Sequence, residues 1–336
     1  MKYHRLGNSG LKVSAICLGA MMFGDQTTAA VAGRIVASAF DAGVNFIDTA
    51  DAYARGESER IVGRLMAKQR DRWVLATKVS NPTIPGDPNS GGLGRKWMMQ
   101  AVEASLRRLG TDYIDVYYLH RDDPDTPLEE TIGAIGDLMR SGKIRYLGLS
   151  NYQGWRIAEV VNVCRRLGVP PPIVLQPVYN AMNRLAEVEM FPACEHYGLG
   201  VVPYSPLARG VLTGKYVPGA KPARDTRAGR NDKRILESEF REDSLRHAQR
   251  IKAQAEKRGM TAGQFALNWV LANKLVTSVL AGPRTERQWQ DYLGALEHAF
   301  DPRDEALVDS LVPPGHLSTY GYADPKFPVT GRVSRG

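Results

Sequence analysis

The sequence predicts an α/β fold in which eight parallel strands close into a (β/α)8 TIM barrel, entered through an N-terminal β-hairpin. Three observations predict it. Strand-like apolar runs alternate with runs of helical period, and the strand centres fall near Ile16, Phe46, Val74, Val116, Tyr146, Val174, Val201 and Val279. Three successive strands end in a titratable group: Asp48, Lys78 and His120. A barrel collects such strand ends on its catalytic face. Finally, no linker divides the 336 residues, so residues 1–336 are expected to form one domain. A doubly wound open sheet would show the same alternation, but eight units favour closure.

Composition narrows the function classes. An apolar fraction of 43% can build a sizeable core. Lys plus Arg number 44 and Asp plus Glu 36, a net charge of +8 that is spread along the chain. Dispersed charge suits attraction of an anionic small molecule better than a nucleic-acid footprint. Cys17, Cys164 and Cys194 are far apart and show no metal-ligand spacing, so they read as reduced, buried thiols and no metal is expected. The first residues lack an apolar signal core and no apolar run reaches spanning length. The expectation is a cytoplasmic protein with no membrane or nucleic-acid partner; a homo-oligomer is compatible with these features.

Taken in order, residues 2–14 read as a hairpin around Gly7-Asn8-Ser9-Gly10 that plugs the barrel bottom. Ala15 to Leu18 form the first barrel strand, and Met21, Met22 and Phe23 after it are expected at the pocket mouth. Helical faces follow: Leu128, Ile132, Ile135 and Leu138 on one helix, Ile157, Val160, Val161 and Cys164 on the next. Thr126-Pro127-Leu128-Glu129 reads as an N-cap, a first-turn proline and a capping-box acid. Thr261 to Gln264 reads as a second capping box. Residues 207–238, rich in Gly, Pro, Arg and Lys, read as a long cofactor or lid loop. Residues 312–336 read as an irregular tail lying over the barrel.

The chemistry-bearing set is Asp48, Tyr53, Lys78 and His120. A phenol has a pKa of about 10 and is a poor acid at neutral pH. A nearby ammonium favours phenolate, and a carboxylate keeps that ammonium charged and fixed. A histidine can hydrogen-bond and orient a carbonyl oxygen. Together the four suit protonation of an oxygen that becomes alkoxide-like as a carbonyl accepts hydride. Each has an ordinary structural role available singly; their arrival at three consecutive strand ends favours the joint reading.

Specific motifs then identify a family. Asp48-Thr49-Ala50-Asp51-x-Tyr53 with Gly56-x-Ser58-Glu59, Thr77-Lys78-Val79, Leu119-His120-Arg121, Gly142 to Asn151, Gln176-Pro177-x-Tyr179-Asn180 and Tyr204 to Gly210 resemble the aldo-keto reductases over nearly the whole chain. The likeness is nearest to bacterial and potassium-channel β-subunit-like branches. It implies Tyr53 as general acid, Lys78 and Asp48 tuning it, and His120 positioning the carbonyl. It implies NADPH (NADP+) as cofactor without a Rossmann domain, in keeping with the lack of a Gly-x-Gly-x-x-Gly after a strand. By the same resemblance, Ala20 and Met21 border the cofactor, and Ser150, Asn151 and Gln176 hold the nicotinamide amide. Tyr204 stacks on its ring. Ser205, Pro206, Leu207, Arg209, Gly210 and Lys215 wrap the pyrophosphate. Gly282 and Arg284 bind the 2′-phosphate at a helix start, and Gln288 and Asp291 meet the adenosine. Arg224, Arg227, Arg230, Lys233 and Arg234 could form a basic lid or a solvated charge run.

The expected function is NADPH-dependent reduction of an aldehyde or ketone, a small-molecule carbonyl substrate. The alternative is a cofactor-binding regulatory or redox-sensor subunit with little turnover.

Overall fold

Strand residues alternate between two faces, and that alternation sorts this chain into an inner and an outer core. The structure, a computed structural model, describes residues 1–328. The hairpin strands β1 (Tyr3–Arg5) and β2 (Lys12–Ser14) pair antiparallel. Eight strands follow: β3 (Ile16–Gly19), β4 (Phe46–Asp48), β5 (Val74–Val79), β6 (Ile114–Leu119), β7 (Ile144–Ser150), β8 (Val174–Gln176), β9 (Gly200–Val201) and β10 (Val279–Ala281). All seven neighbouring pairs along β10-β3-β4-β5-β6-β7-β8-β9 are parallel. Thr277 N donates to Val201 O at 2.8 Å and Leu280 N to Pro203 O at 3.0 Å, which joins β9 to β10 and closes the ring. Every strand centre expected from the sequence lies in or beside its strand.

Inside the ring, Cys17, Phe46, Val74, Ala76, Val116, Tyr118, Val174 and Val202 pack with Leu6 and Val13 of the hairpin. The hairpin therefore closes the barrel floor with two apolar side chains, as its pattern suggests. Gly148 on β7 makes room for this packing, since a Cβ there would lie 2.5 Å from the Tyr118 ring. The outer faces of the same strands, including Ile47, Leu75, Tyr117, Leu147 and Leu175, pack under the helices.

Thr261 and Gln264 make the expected reciprocal capping box. Thr126 does not cap its helix. The helix is Leu128–Arg140 with Pro127 at the cap position, and the Thr126 hydroxyl donates to Asp123 Oδ2 at 2.8 Å. The bond to the carboxylate three residues back turns the hydroxyl towards its own loop, and its oxygen accepts from no N–H of the first helical turn. Phe23 also departs from expectation. It is wholly buried in the outer core and not at the pocket mouth, whereas Met21 is exposed.

Residues 207–238 are less irregular than expected, with short turns at Ala208–Thr213 and Ala228–Arg230 and a helix at Lys233–Glu237. The tail after Val312 crosses the C-terminal face. Arg184 N donates to His316 O at 3.0 Å, and Arg234 pairs with Asp324 at 2.6 Å. Residues 329–336 of the tail lie outside the described residues. No helix among the described residues is long and apolar enough to cross a membrane.

The helix Glu57–Met66, which follows the Tyr53 loop, crosses the end of helix Arg95–Leu109 at Gly63. A Cβ at Gly63 would sit 2.1 Å from Leu109 O. Alanine is the better helix former by about 1 kcal/mol, yet the backbone cannot yield. Gly63→Ala is expected to lower stability by about 1–3 kcal/mol in urea unfolding, the cost of overpacking.

Candidate active site

Side-chain parity carries the inner face up to the barrel mouth. Asp48 shares parity with Phe46, Lys78 with Val74 and Ala76, His120 with Val116 and Tyr118, and Gln176 with Val174. All four therefore point inward at the C-terminal ends of β4, β5, β6 and β8.

Lys78 is the centre of the group and is fully buried. Its Nζ donates to Asp48 Oδ1, to Thr49 O at 2.7 Å and towards Tyr53 Oη at 3.4 Å. The other Asp48 oxygen accepts from Gln176 Nε2 at 3.0 Å. A buried charge needs such complete pairing. Burial alone would depress the Lys78 pKa, but the Asp48 carboxylate outweighs it and holds the ammonium above its ordinary value. Burial pushes Asp48 up, against the pull of Lys78. For Tyr53, burial raises the pKa and the Lys78 charge lowers it; the net direction is up. The ammonium thus acts with the expected sign, but burial wins. The phenol stays protonated at neutral pH.

Tyr53 is held in a strained loop. Ala54 and Arg55 adopt φ of 46° and 55°, and Gly56 follows at 85°. Two consecutive non-glycine residues in the left-handed region carry a backbone cost on the order of 1–3 kcal/mol each. The residues after the loop brace it. Ser58 Oγ donates to Ala20 O at 2.7 Å and meets Thr49 Oγ1 at 2.8 Å. Glu59, fully buried, accepts from Thr77 Oγ1 and Arg108 Nε, each at 2.6 Å. The motif Gly56-x-Ser58-Glu59 is therefore the anchor of the Tyr53 loop.

The Tyr53 and His120 rings meet edge to face with centroids 5.8 Å apart. Burial lowers the His120 pKa well below its ordinary value, and the charges of Lys78, Lys326 and Arg121 add to this. The imidazole is neutral at pH 7. Asn81 Nδ2 lies 3.0 Å from His120 Nδ1. Asn81 belongs to none of the sequence motifs; its one signal is its place three residues after Lys78 and just before Pro82.

A second network lies beside this one. Asn151, at φ 61°, donates to His120 O and to Ser150 Oγ, both at 3.0 Å, and accepts from Tyr204 Oη at 2.8 Å. Ser150 Oγ donates to Gln176 O at 2.9 Å. Ser150, Asn151, Gln176, Tyr204 and His120 are thus one cluster. Ala20 borders the Lys78 network instead, its N–H donating to Asp48 O at 2.8 Å, while Met21 is exposed.

The loop after β9 bends sharply, with Ser205, Ala208 and Arg209 at φ 58°, 47° and 52° and Gly210 at 100°. Pro206 and Leu207 are buried within the bend. Arg209 is paired with Glu239 at 2.8 Å, so its charge is already balanced. Lys215 is not in an ion pair among the described residues. Burial lowers its pKa, and Arg284, Arg227 and Arg230 lower it further. After Gly282, Arg284 N donates to Gln288 Oε1 at 2.7 Å, and Asp291 accepts from Thr261 Oγ1 at 2.8 Å. Gln288 and Asp291 are therefore engaged within the protein. Arg284 and Arg230 both donate to Asp225 O, at 3.2 and 2.6 Å, and Arg230 also reaches Gln26 Oε1 at 2.8 Å. The basic loop thus bridges the segments that follow β3 and β10. Within it, Lys233 pairs with Glu237 and Arg234 with Asp324.

Comparison with known proteins agrees with this geometry. The model of the Aldo/keto reductase family matches residues 15–313. The chain is 39% identical to a probable voltage-gated potassium channel subunit beta of Arabidopsis thaliana, covering 88% of this chain and 92% of that one. It is 36% identical to the uncharacterized oxidoreductase YrpG of Bacillus subtilis (strain 168), over 96% of this chain and all of the relative (100%). It is 33% identical to L-glyceraldehyde 3-phosphate reductase of Escherichia coli (strain K12), over 95% of each.

Behind the Tyr53 loop lies a buried acid with no hydrogen-bond partner on either oxygen, Asp51. Burial, with the nearby Glu59 charge, raises its pKa from 3.8 to about 7. In the unfolded chain it ionises near its ordinary value. Between about pH 4 and 7 the folded state therefore binds more protons, and this group's contribution to stability falls as pH rises through that window. Asp51→Asn is expected to be more stable than wild type at pH 8, by an amount on the order of a few kcal/mol. The advantage should shrink towards pH 4. Thermal melts across that range measure it.

Proposed function

The chain belongs to the aldo/keto reductase family, and on that premise we propose that it is an NADPH-dependent oxidoreductase that reduces an aldehyde or ketone to the alcohol, with Tyr53 as general acid. The observation that carries this reading is the Tyr53 hydroxyl, protonated, 3.4 Å from a fully buried ammonium and edge-on to a neutral histidine. An oxygen placed between Tyr53 and His120 has one donor that can give up its proton and one that orients it. Lys78 stabilises the phenolate that remains. Asp48 keeps Lys78 charged, and Gln176 keeps Asp48 in place. The carbonyl oxygen thereby gains a proton as the carbon becomes tetrahedral.

The residues present fit the phosphates of NADPH. Arg284, Arg227 and Arg230 lie close enough to act on Lys215, with Asp225 as the one opposing charge, and like charges gather stably where an anion joins them. We assign Lys215 and Arg284 to the phosphates, and Ser150, Asn151, Gln176 and Tyr204 to the nicotinamide end. When bound, the cofactor supplies the hydride. The loop that links Arg230 to Gln26 and Arg284 to Asp225 O serves as a clasp over this region. Cys17, Cys164 and Cys194 are all free and buried, which suits the reducing cytoplasm.

Tyr53→Phe is expected to bind NADPH normally, by fluorescence titration, and to lose on the order of 10²–10⁴ in kcat with an activated aromatic aldehyde. Normal turnover in this variant would remove Tyr53 as the acid. Arg284→Met should raise the Kd for NADPH about tenfold or more while leaving that for NADH unchanged, because one charge-assisted phosphate contact is lost.

A further inference from the structure

We infer that Asn81 is a positioning residue that fixes the tautomer of His120, so that the ring presents Nε2–H, and not a bare lone pair, to the carbonyl oxygen. The inference rests on the reductase reading of the site and assigns a role to a residue outside the set recognised by its motifs.

Several constraints aim Asn81 at the ring. His120 N donates to Val79 O at 2.8 Å, which locks the end of β6 to the end of β5. Asn151 Nδ2 holds His120 O at 3.0 Å from the other side. Ser80 then turns the chain sharply, at φ 143°, and Gly92 N donates to Ser80 O at 2.8 Å to close the loop behind it. Arg121 Nε contacts Ser80 Oγ at 3.3 Å. Pro82 restricts the residue before it to extended conformations. Asn81 is left with little freedom, and its Nδ2 stands 3.0 Å from His120 Nδ1.

The chemistry follows from the inventory of donors. A neutral imidazole has one N–H and one lone pair. The amide N–H of Asn81 needs an acceptor, and Nδ1 supplies it only as a lone pair. The proton then resides on Nε2. Burial opposes a positive ring, and the charges of Lys78, Lys326 and Arg121 add to it, so no imidazolium is at hand to make the choice irrelevant. A neutral histidine of the other tautomer would repel the carbonyl oxygen that it must hold.

The test is side-chain 15N NMR of the histidines, with His120 assigned by difference from His120→Gln, in wild type, Asn81→Ala and Asn81→Asp. Wild type should show the Nε2–H tautomer, unchanged from pH 6 to 8. Asn81→Ala should give a mixed tautomer signal, and kcat should fall on the order of tenfold to a hundredfold with KM and the melting temperature little changed. Asn81→Asp should raise the His120 pKa, so that its turnover declines as pH rises through that value while wild type stays flat. A wild-type Nδ1–H tautomer overturns the inference. So do His120 signals that ignore both Asn81 substitutions. The tautomer is read without turnover, so an inactive protein with the Nε2–H form would count against the reductase reading and not against this one.

Discussion

The ion pair between Lys78 and Asp48 is the constraint on which the rest of the structure depends. Both groups are buried at the inner end of a barrel whose other contents are apolar. Breaking such a pair costs about 3–5 kcal/mol, because the partner left behind is an uncompensated charge. Three neighbouring polar groups are accordingly committed to it. Thr49 offers its carbonyl to the ammonium, Gln176 its amide to the carboxylate, and Tyr53 its hydroxyl to the remaining donor direction. The pair gives the barrel a fixed positive point beneath Tyr53, and its charge adds to the burial that keeps the adjacent His120 neutral.

Backbone strain surrounds that point. Ala54, Arg55, Ser80, Asn151, Ser205, Ala208 and Arg209 all have positive φ, and each follows a barrel strand on the C-terminal face. Among the described residues, no α-helix or strand interior holds a non-glycine residue of positive φ. Strain of this kind persists where neighbours over-determine it. Glu59 with Arg108 and Thr77, Ser58 with Ala20, and Asn151 with Tyr204 and His120 provide that bracing. The rigid barrel thus supports a face whose loops are held in costly shapes by specific hydrogen bonds.

The barrel was legible because its signal is repeated. Eight apolar runs alternating with runs of helical period specify eight strands, and side-chain parity sends Asp48, Lys78 and His120 inward together. Pairings between side chains distant in sequence were not legible. Nothing in the order of residues says that Gln176 serves Asp48, 128 positions away, or that Arg209 is neutralised by Glu239. Thr126 had the right neighbours for a cap, and a carboxylate three residues back took its hydroxyl instead. Phe23 lay next to two methionines expected at the mouth, yet packing drew it into the core. Asn81 carries no pattern at all; only the register of β5 against β6 brings it to His120.

The most direct test follows the hydride. The protein is incubated with NADPH deuterated at the reactive carbon of its nicotinamide and an aldehyde, and the alcohol is analysed by mass spectrometry. The account predicts one deuterium on the carbinol carbon per NADPH consumed, with the hydroxyl proton drawn from solvent. Tight NADPH binding with no labelled alcohol from any of a broad set of aldehydes and ketones would contradict it, and would turn attention to a regulatory role in which the cofactor is held and not used.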